Sequence, residues 1–424
     1  MLLDLTMVLV RIALMLLVVL QVIPLLIWWE RKVSAYIQSR RGPAYASAGP
    51  LRLFGIVHTL TDVVKLIGKE DITPSQANKP FHFIAPAIAM FVALLTFAVV
   101  PYSGSVVIDG REFSLQAANL NAGILYILAI ASLGVYGILL AAWSSNNKYT
   151  ILGGLRSSSQ LVSYELVMSL ALVGALMVYG SLELGKAVTH QSGPFWHWGA
   201  VVQPVAALLF IVCAFAETNR NPFDLPEGES EIVAGYHVEY SSLRFALFFM
   251  AEYANMIVAS GVIATLFFGG YEIPFLPTET LRANAAPILR IVLLATAAGG
   301  TLAGLFFGYL FFQGNERGPR DPDAAALAVL FGFGPAVAAG AVLALTGGGH
   351  FEFGPTGASL VAAVLQFACF MAKLLFFAFL FIWVRWTLPR FRYDQLMRLG
   401  WKYMLPLALL NVLATAFILE RMAK

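Results

Sequence analysis

LTMVLVRIALMLLVVLQVIPLLIWW, residues 5–29, contains a single ionisable side chain, Arg11. A helix of this length extends roughly 38 Å at 1.5 Å per residue, enough to cross about 30 Å of hydrocarbon. Inside a bilayer every backbone N–H and C=O must be satisfied within the protein, which leaves helices or closed barrels. Barrel strands are short and alternate in polarity, and this run does neither. It has no small-residue cleavage site and leads straight into WWERK, so a retained span is expected rather than a signal peptide.

Comparable runs recur at 83–101, 122–142, 159–180, 199–217, 242–267, 288–312, 324–346, 360–385 and 403–420, giving ten in all. Apolar residues make up 59% of the 424 positions, well above the roughly 45–50% of soluble chains. The expected fold class is therefore an all-α polytopic membrane protein, one integral domain over 1–424, with the lipid bilayer as its first partner. The net charge of +3 is ordinary for loops that carry Lys and Arg on one side of a membrane, and it gives no reason to invoke nucleic acid.

Basic residues segregate between alternate loops. With the loop after the first run placed in the cytoplasm, nineteen Lys and Arg fall on that side, between Arg31 and Lys402. Only Arg111, Lys186, Arg282, Arg421 and Lys424 fall on the other. Both termini are thus expected to face outward.

In the long loop 30–82, residues 51–69 repeat Leu53, Ile56, Val57, Leu60, Val63, Val64 and Ile67 at helical spacing, with His58, Asp62, Lys65 and Lys69 forming a polar stripe. The segment is too short and too charged to span, and is expected to be an amphipathic helix in the membrane interface or against a soluble partner. Residues 102–121 alternate around Asp109-Gly110, as a small hairpin would. Cys213 and Cys369 both lie in apolar runs and cannot by themselves hold an iron–sulfur cluster, which normally takes four ligands. No histidine pair sits mid-span for a haem. No cofactor is expected on this chain, and any electron carrier belongs to a partner.

Ionisable groups within spans cost a few kcal/mol and are functional candidates by default. Glu165, Glu217, Glu252 and Lys373 are such groups. At graded depths they could pass protons inward from the cytoplasmic surface, or Glu252 and Lys373 could simply pair to hold two spans together. Directly after Glu217 comes TNRNPFDLPEGESEIVAGYHVEY, where Pro222 and Pro226 forbid continuous helix. The acids Asp224, Glu227, Glu229 and Glu231 are interleaved there with Phe223, Leu225, Ile232 and Val233. That mixture predicts a packed, charge-paired loop over 218–241, set opposite the basic segments ERK, QSRRG and RWTLPRFRYDQ.

The stretch AETNRNPFDLPEGESEIVAGYHVEYSSLRFALFFMAEYANM resembles the central signature of the membrane subunit at the junction of the two arms of respiratory complex I, NADH:quinone oxidoreductase. WWERKVSAYIQSRRGP with DVVKLIGKEDITP, SNNKYTILGGLRSSSQLVSYE and FIWVRWTLPRFRYDQLM are similar to it as well. The resemblance covers roughly 1–270 and 360–424. It implies a subunit in an energy-transducing inner membrane that binds no cofactor itself, forms much of a quinone-binding chamber, and joins other subunits of the hydrophilic and membrane arms. FMN and iron–sulfur clusters would sit in those partners, with quinone as substrate. By position it also implies that Glu217, Asp224, Glu227, Glu229 and Glu231 line chamber and path. Glu165 and Glu252 would continue inward, and Arg31, Arg40, Asp62, Lys65, Arg220, Phe223 and Arg244 would shape the chamber.

Two features depart from that family's pattern. AYASAGPLRLF, residues 44–54, is longer than the usual link, and His58-Thr59 stands where Gln-Pro is common. Residues 271–359 add two spans to the usual eight, read as peripheral helices. Related subunits also occur in membrane-bound hydrogenases and formate-oxidising complexes, so the electron donor stays open between these. A stand-alone ion transporter is the third reading, and the many charged loops argue against it.

Overall fold

The structure is a computed structural model, and it describes all residues except 1, 41, 44, 48–52, 109, 226–227, 229–232, 314–327, 347, 349–352 and 424. It is helical almost throughout. Nine of the helices among the described residues are long and apolar enough to cross a membrane. The main elements are α1 (Leu2–Ile37), α2 (Val57–Gly68), α3 (Lys79–Phe97), α4 (Gly123–Ser144), α5 (Lys148–Tyr179) and α6 (Pro204–Glu217). They continue with α7 (Ser242–Phe267), α8 (Ala285–Gln313), α9 (Gly334–Leu345), α10 (Pro355–Thr387) and α11 (Leu405–Ala423). Among the described residues β1 (Ser105–Ile108) pairs with β2 (Arg111–Ser114) as a short antiparallel hairpin, on either side of the expected turn, of which Asp109 lies outside the described residues.

The tenth expected span is α6, only 14 residues long and preceded by a separate turn of helix at Gly199–Val202. Gln203 and Pro204 divide the two, because proline at the first helical position cannot donate to the turn before it. The fourth run begins eleven residues earlier than its apolar stretch suggests, at Lys148, where the Asn147 side chain accepts from the Tyr149 N–H at 3.0 Å and caps the helix. Polar residues such as Gln160 and Ser157 are tolerated in that first half because they are buried against protein.

Burial ranks the helices. In the spanning window of α7, 67% of residues are buried, against 11% in α8, so α7 runs through the middle and α8 along the edge. The core around α7 is built from Phe97, Tyr102, Tyr164, Phe267, Phe370 and Phe381, all almost fully buried. α8 packs chiefly on α9 and on the helical turn Ala328–Phe333 that leads into it: a Cβ on Gly332 would fall 2.3 Å from the Gly304 Cα, the close backbone approach that small residues permit between membrane helices. Their outer surface leaves Leu302, Leu305, Phe306, Val329 and Val337 exposed.

Within the segment expected to be an amphipathic helix over 51–69, of which 51–52 lie outside the described residues, α2 begins only at Val57. A 3₁₀ turn at Leu53–Gly55 precedes α2, with Phe54 at φ 55°. Gly55 (φ +85°) lies so close to Pro43 that a Cβ there would meet its carbonyl oxygen at 2.3 Å, which breaks the helix before Val57. Leu60, Val63, Val64 and Ile67 form an exposed apolar face on α2. His58, on the other side, accepts from the Tyr45 and Ala46 N–H groups at 3.1 and 3.0 Å. The two departures from the family pattern, the longer link and His58, are thus bonded to each other.

Loops from distant parts of the chain gather at one end of the bundle. Asn78 N–H donates to Ser144 O (2.8 Å), Ile72 N–H to Ser241 Oγ (2.9 Å), and Phe391 N–H to Pro222 O (3.1 Å). At the opposite end the β1–β2 hairpin leans on α10 through Gly104 N–H to Gln366 Oε1 and Val107 N–H to Ser359 Oγ, each 3.0 Å.

Candidate functional site

Beneath the gathered loops, α1 ends its apolar run with Glu30. This carboxylate is almost fully buried and collects three donors: Arg385 from α10 at 2.5 Å, Arg220 from the 218–225 loop at 3.3 Å, and the Tyr253 hydroxyl from α7 at 2.6 Å. The Arg220 guanidinium also lies 4.3 Å from the centre of the Tyr253 ring, a cation–π contact. Burying these charges is tolerable only because each is paired and hydrogen-bonded. Reading ERK as a basic segment missed Glu30. The signal was there, since an acid at the very end of an oily run has little access to water and needs a cation.

A second pair stands beside it. Asp224 accepts from Arg390 at 2.9 Å. Burial pushes the Asp224 carboxyl above its usual range, against the opposing pull of Arg390 and Arg385. Phe223 is buried between the rings of Tyr164 and Phe391, at 5.4 and 5.5 Å. Gln160 of α5 fastens this loop: its amide donates to Ala216 O at 2.8 Å and Phe223 O at 2.9 Å. The first half of the acidic loop is therefore packed and charge-paired. Glu227, Glu229 and Glu231 lie outside the described residues.

Towards the interior, Glu165, Glu217 and Glu252 line a single cavity of about 100 Å³ together with Thr218, Asn219, Tyr236 and Asn255. That is room for a few waters, and the rest of the wall is largely apolar. Glu217 ends α6 at the loop side. Glu165 lies roughly 26 Å along α5 from Lys148 at the usual helical rise, and is contacted by the Ser132 hydroxyl of α4. Glu252 accepts from the Tyr236 hydroxyl at 3.1 Å. Tyr236 reaches it because its turn packs against Gly153, where a Cβ would fall 2.7 Å from the Gly235 Cα.

Lys373 is not among the residues around this cavity, and it does not pair with Glu252. Its ammonium donates instead to Gly270 O and Glu272 O, both at 2.8 Å, beyond the far end of α7, and lies 5.1 Å from the Trp198 ring centre. Both acceptors are carbonyls of the loop that follows α7, and an ammonium donates readily to such backbone oxygens. Glu272 next to it is buried, which raises its carboxyl despite the Thr278 hydroxyl that donates to it.

The remaining sequence-derived residues sit at the loop end. Arg31 pairs with Asp62 of α2 at 2.6 Å. Arg244 pairs with Asp71 at 2.8 Å and donates to Thr73 at 2.9 Å. Arg40 is exposed and donates to Gln38 at 2.7 Å; Lys65 is exposed on α2. The site thus has two layers, a charged loop layer around Glu30 and an acid-lined cavity below it.

Comparison with known proteins gives a consistent picture. The family model described as NADH dehydrogenase matches residues 10–416. The chain is 41% identical to an NADH-quinone oxidoreductase subunit of Salinibacter ruber over 394 residues, 92% of this chain and 90% of that one. It is 43% identical to NADH-quinone oxidoreductase subunit 8 of Rhodothermus marinus over 393 residues, covering 92% and 91%. An NADH-quinone oxidoreductase subunit of Solibacter usitatus is 42% identical over 399 residues, covering 92% and 91%. The covered shares are nearly equal on both sides, so these relatives are about as long as this chain.

Proposed function

This chain belongs to the family of NADH dehydrogenase membrane subunits, and from that premise we infer that it builds the quinone-binding chamber of an NADH-quinone oxidoreductase and joins it to a proton path. The observation that carries the reading is the stacking of the two layers: the Glu30–Arg220–Arg385 cluster lies at the loop end, and the cavity lined by Glu217, Glu165 and Glu252 begins directly beneath it.

Quinone has an apolar tail and a headgroup that takes up two electrons and two protons. The exposed apolar face of α2 and the aromatic residues near it supply a greasy approach from the bilayer. The buried ion pairs around Glu30 supply a charged, polar end for the headgroup. Glu217, at the top of the cavity, responds to a headgroup that has gained electrons by exchanging a proton, and Glu165 and Glu252 pass it inward through the waters the cavity can hold. The end of the bundle that carries the basic loops faces the cytoplasm, both termini face outward, and the partners there carry FMN and iron–sulfur clusters.

The test is Glu217→Gln in the assembled complex. NADH-dependent reduction of a short-chain quinone should fall while assembly is kept. Wild-type turnover and proton uptake in a fully assembled variant would overturn the reading. The same preparation separates electron donors: inhibitor-sensitive activity with hydrogen or formate in place of NADH would point to a different assembly around the same membrane fold.

A further inference from the structure

Ser132, on α4, occupies a position that the functional reading leaves unused. Its hydroxyl lies within bonding distance of two acceptors at once, the Leu128 carbonyl four residues back at 2.8 Å and Oε1 of Glu165 on α5. A serine hydroxyl carries one proton and can donate to only one of them. When Glu165 is ionised, the hydroxyl gives the carboxylate a charge-assisted bond. When Glu165 is protonated, its own O–H must point somewhere; the Ser132 oxygen can accept it, and the serine proton swings to Leu128 O, the ordinary resting place for a serine within a helix.

We propose that Ser132 is a positioning residue that registers the proton on Glu165, its hydroxyl reversing direction each time that acid is loaded or emptied. This rests on the reading of Glu165 as a proton-carrying group. The balance is simple. One proton arrives at Glu165 from the cavity, the serine keeps its own, and only hydrogen bonds change partner. Neither state leaves a buried polar atom of the pair without a partner, so loading and emptying proceed with little penalty. The other ionisable groups on the same cavity are Glu217 from α6, Glu252 from α7 and Tyr236 from the turn that donates to Glu252; none of them contacts Ser132. The event also reaches the backbone of α4, because Leu128 O gains a second donor only in the loaded state.

The experiment uses the complete complex, wild type and with Ser132→Ala, Ser132→Thr and Glu165→Gln, followed by infrared difference spectroscopy across pH. The protonated-carboxyl band lost in Glu165→Gln belongs to Glu165. In Ser132→Ala its frequency should rise, since the acid loses its acceptor. Ser132→Thr, which keeps the hydroxyl, should restore the wild-type frequency. An unchanged band in Ser132→Ala overturns the proposal, as does the lack of any band that depends on Glu165. Quinone reduction by the same preparations is read separately. If Glu165→Gln turns over normally while the band responds to Ser132 as expected, the switch stands and the path through Glu165 falls.

Discussion

Arg385 places its guanidinium 2.5 Å from the Glu30 carboxylate, joining the end of the first helix to a residue 355 positions further along the chain. Arg220 meets the same carboxylate from the loop between α6 and α7. One acid therefore fixes the relative position of three parts of the loop end, and the cavity acids hang below whatever it holds.

Glu30→Gln leaves two arginines facing a neutral amide in a buried site. Breaking a buried pair on one side costs about 3–5 kcal/mol, so the variant complex should assemble poorly or melt early. The double variant Glu30→Gln with Arg385→Gln removes one of the two cations this acid holds and should recover part of the loss. Thermal denaturation of the purified complexes checks this, and a double variant no better than the single would mean that the pair is not what holds the loop.

Asp224 predicts a pH dependence. Its carboxyl ionises near 3.8 when unperturbed and higher in the folded protein, where burial outweighs Arg390 and Arg385. The folded state thus holds this proton more tightly than the unfolded one. The stability it contributes is full below the unfolded value and is lost as pH rises through the folded value. Asp224→Asn should remove that slope from the acid side of a stability–pH curve, and a slope unchanged in the variant would contradict the assignment.

Gly153→Ala tests the seat of Tyr236. The new Cβ would fall 2.7 Å from the Gly235 Cα and 2.9 Å from the Tyr236 nitrogen, backbone atoms that cannot swing aside. The turn must shift, at a cost of about 1–3 kcal/mol, and carry the tyrosine hydroxyl away from Glu252. Turnover should drop by more than Tyr236→Phe alone produces. Equal losses would show that only the hydroxyl matters.

Lys373→Met removes the two bonds to Gly270 O and Glu272 O. Removing the lysine donor from Gly270 O costs about 1–3 kcal/mol, while Glu272 O keeps the Cys369 thiol at 3.7 Å, so the complex should lose thermal stability. Turnover per assembled complex should stay close to wild type, because the ammonium lies apart from the acid-lined cavity. A collapse of turnover at unchanged stability would return Lys373 to the path.

How much of this could be read from residues alone follows from the range of the forces involved. Oily runs such as 5–29 are spans because a bilayer gives a backbone no other option, and that constraint is local, so nine of the ten expected runs and the pairing of β1 with β2 were legible in one dimension, while the run at 199–217 is broken into a short turn and a 14-residue helix. The packed character of 218–225 was legible too, from Pro222 and from Phe223 beside Asp224. The partners were not. Glu30 meets Arg385 across most of the chain, Gln160 finds carbonyls more than fifty residues away, and Lys373 bonds to loop carbonyls after α7 rather than to Glu252. Which cation neutralises which acid depends on distances of a few ångströms between helices, and only the packing of α1, α5, α7 and α10 around one another sets those distances.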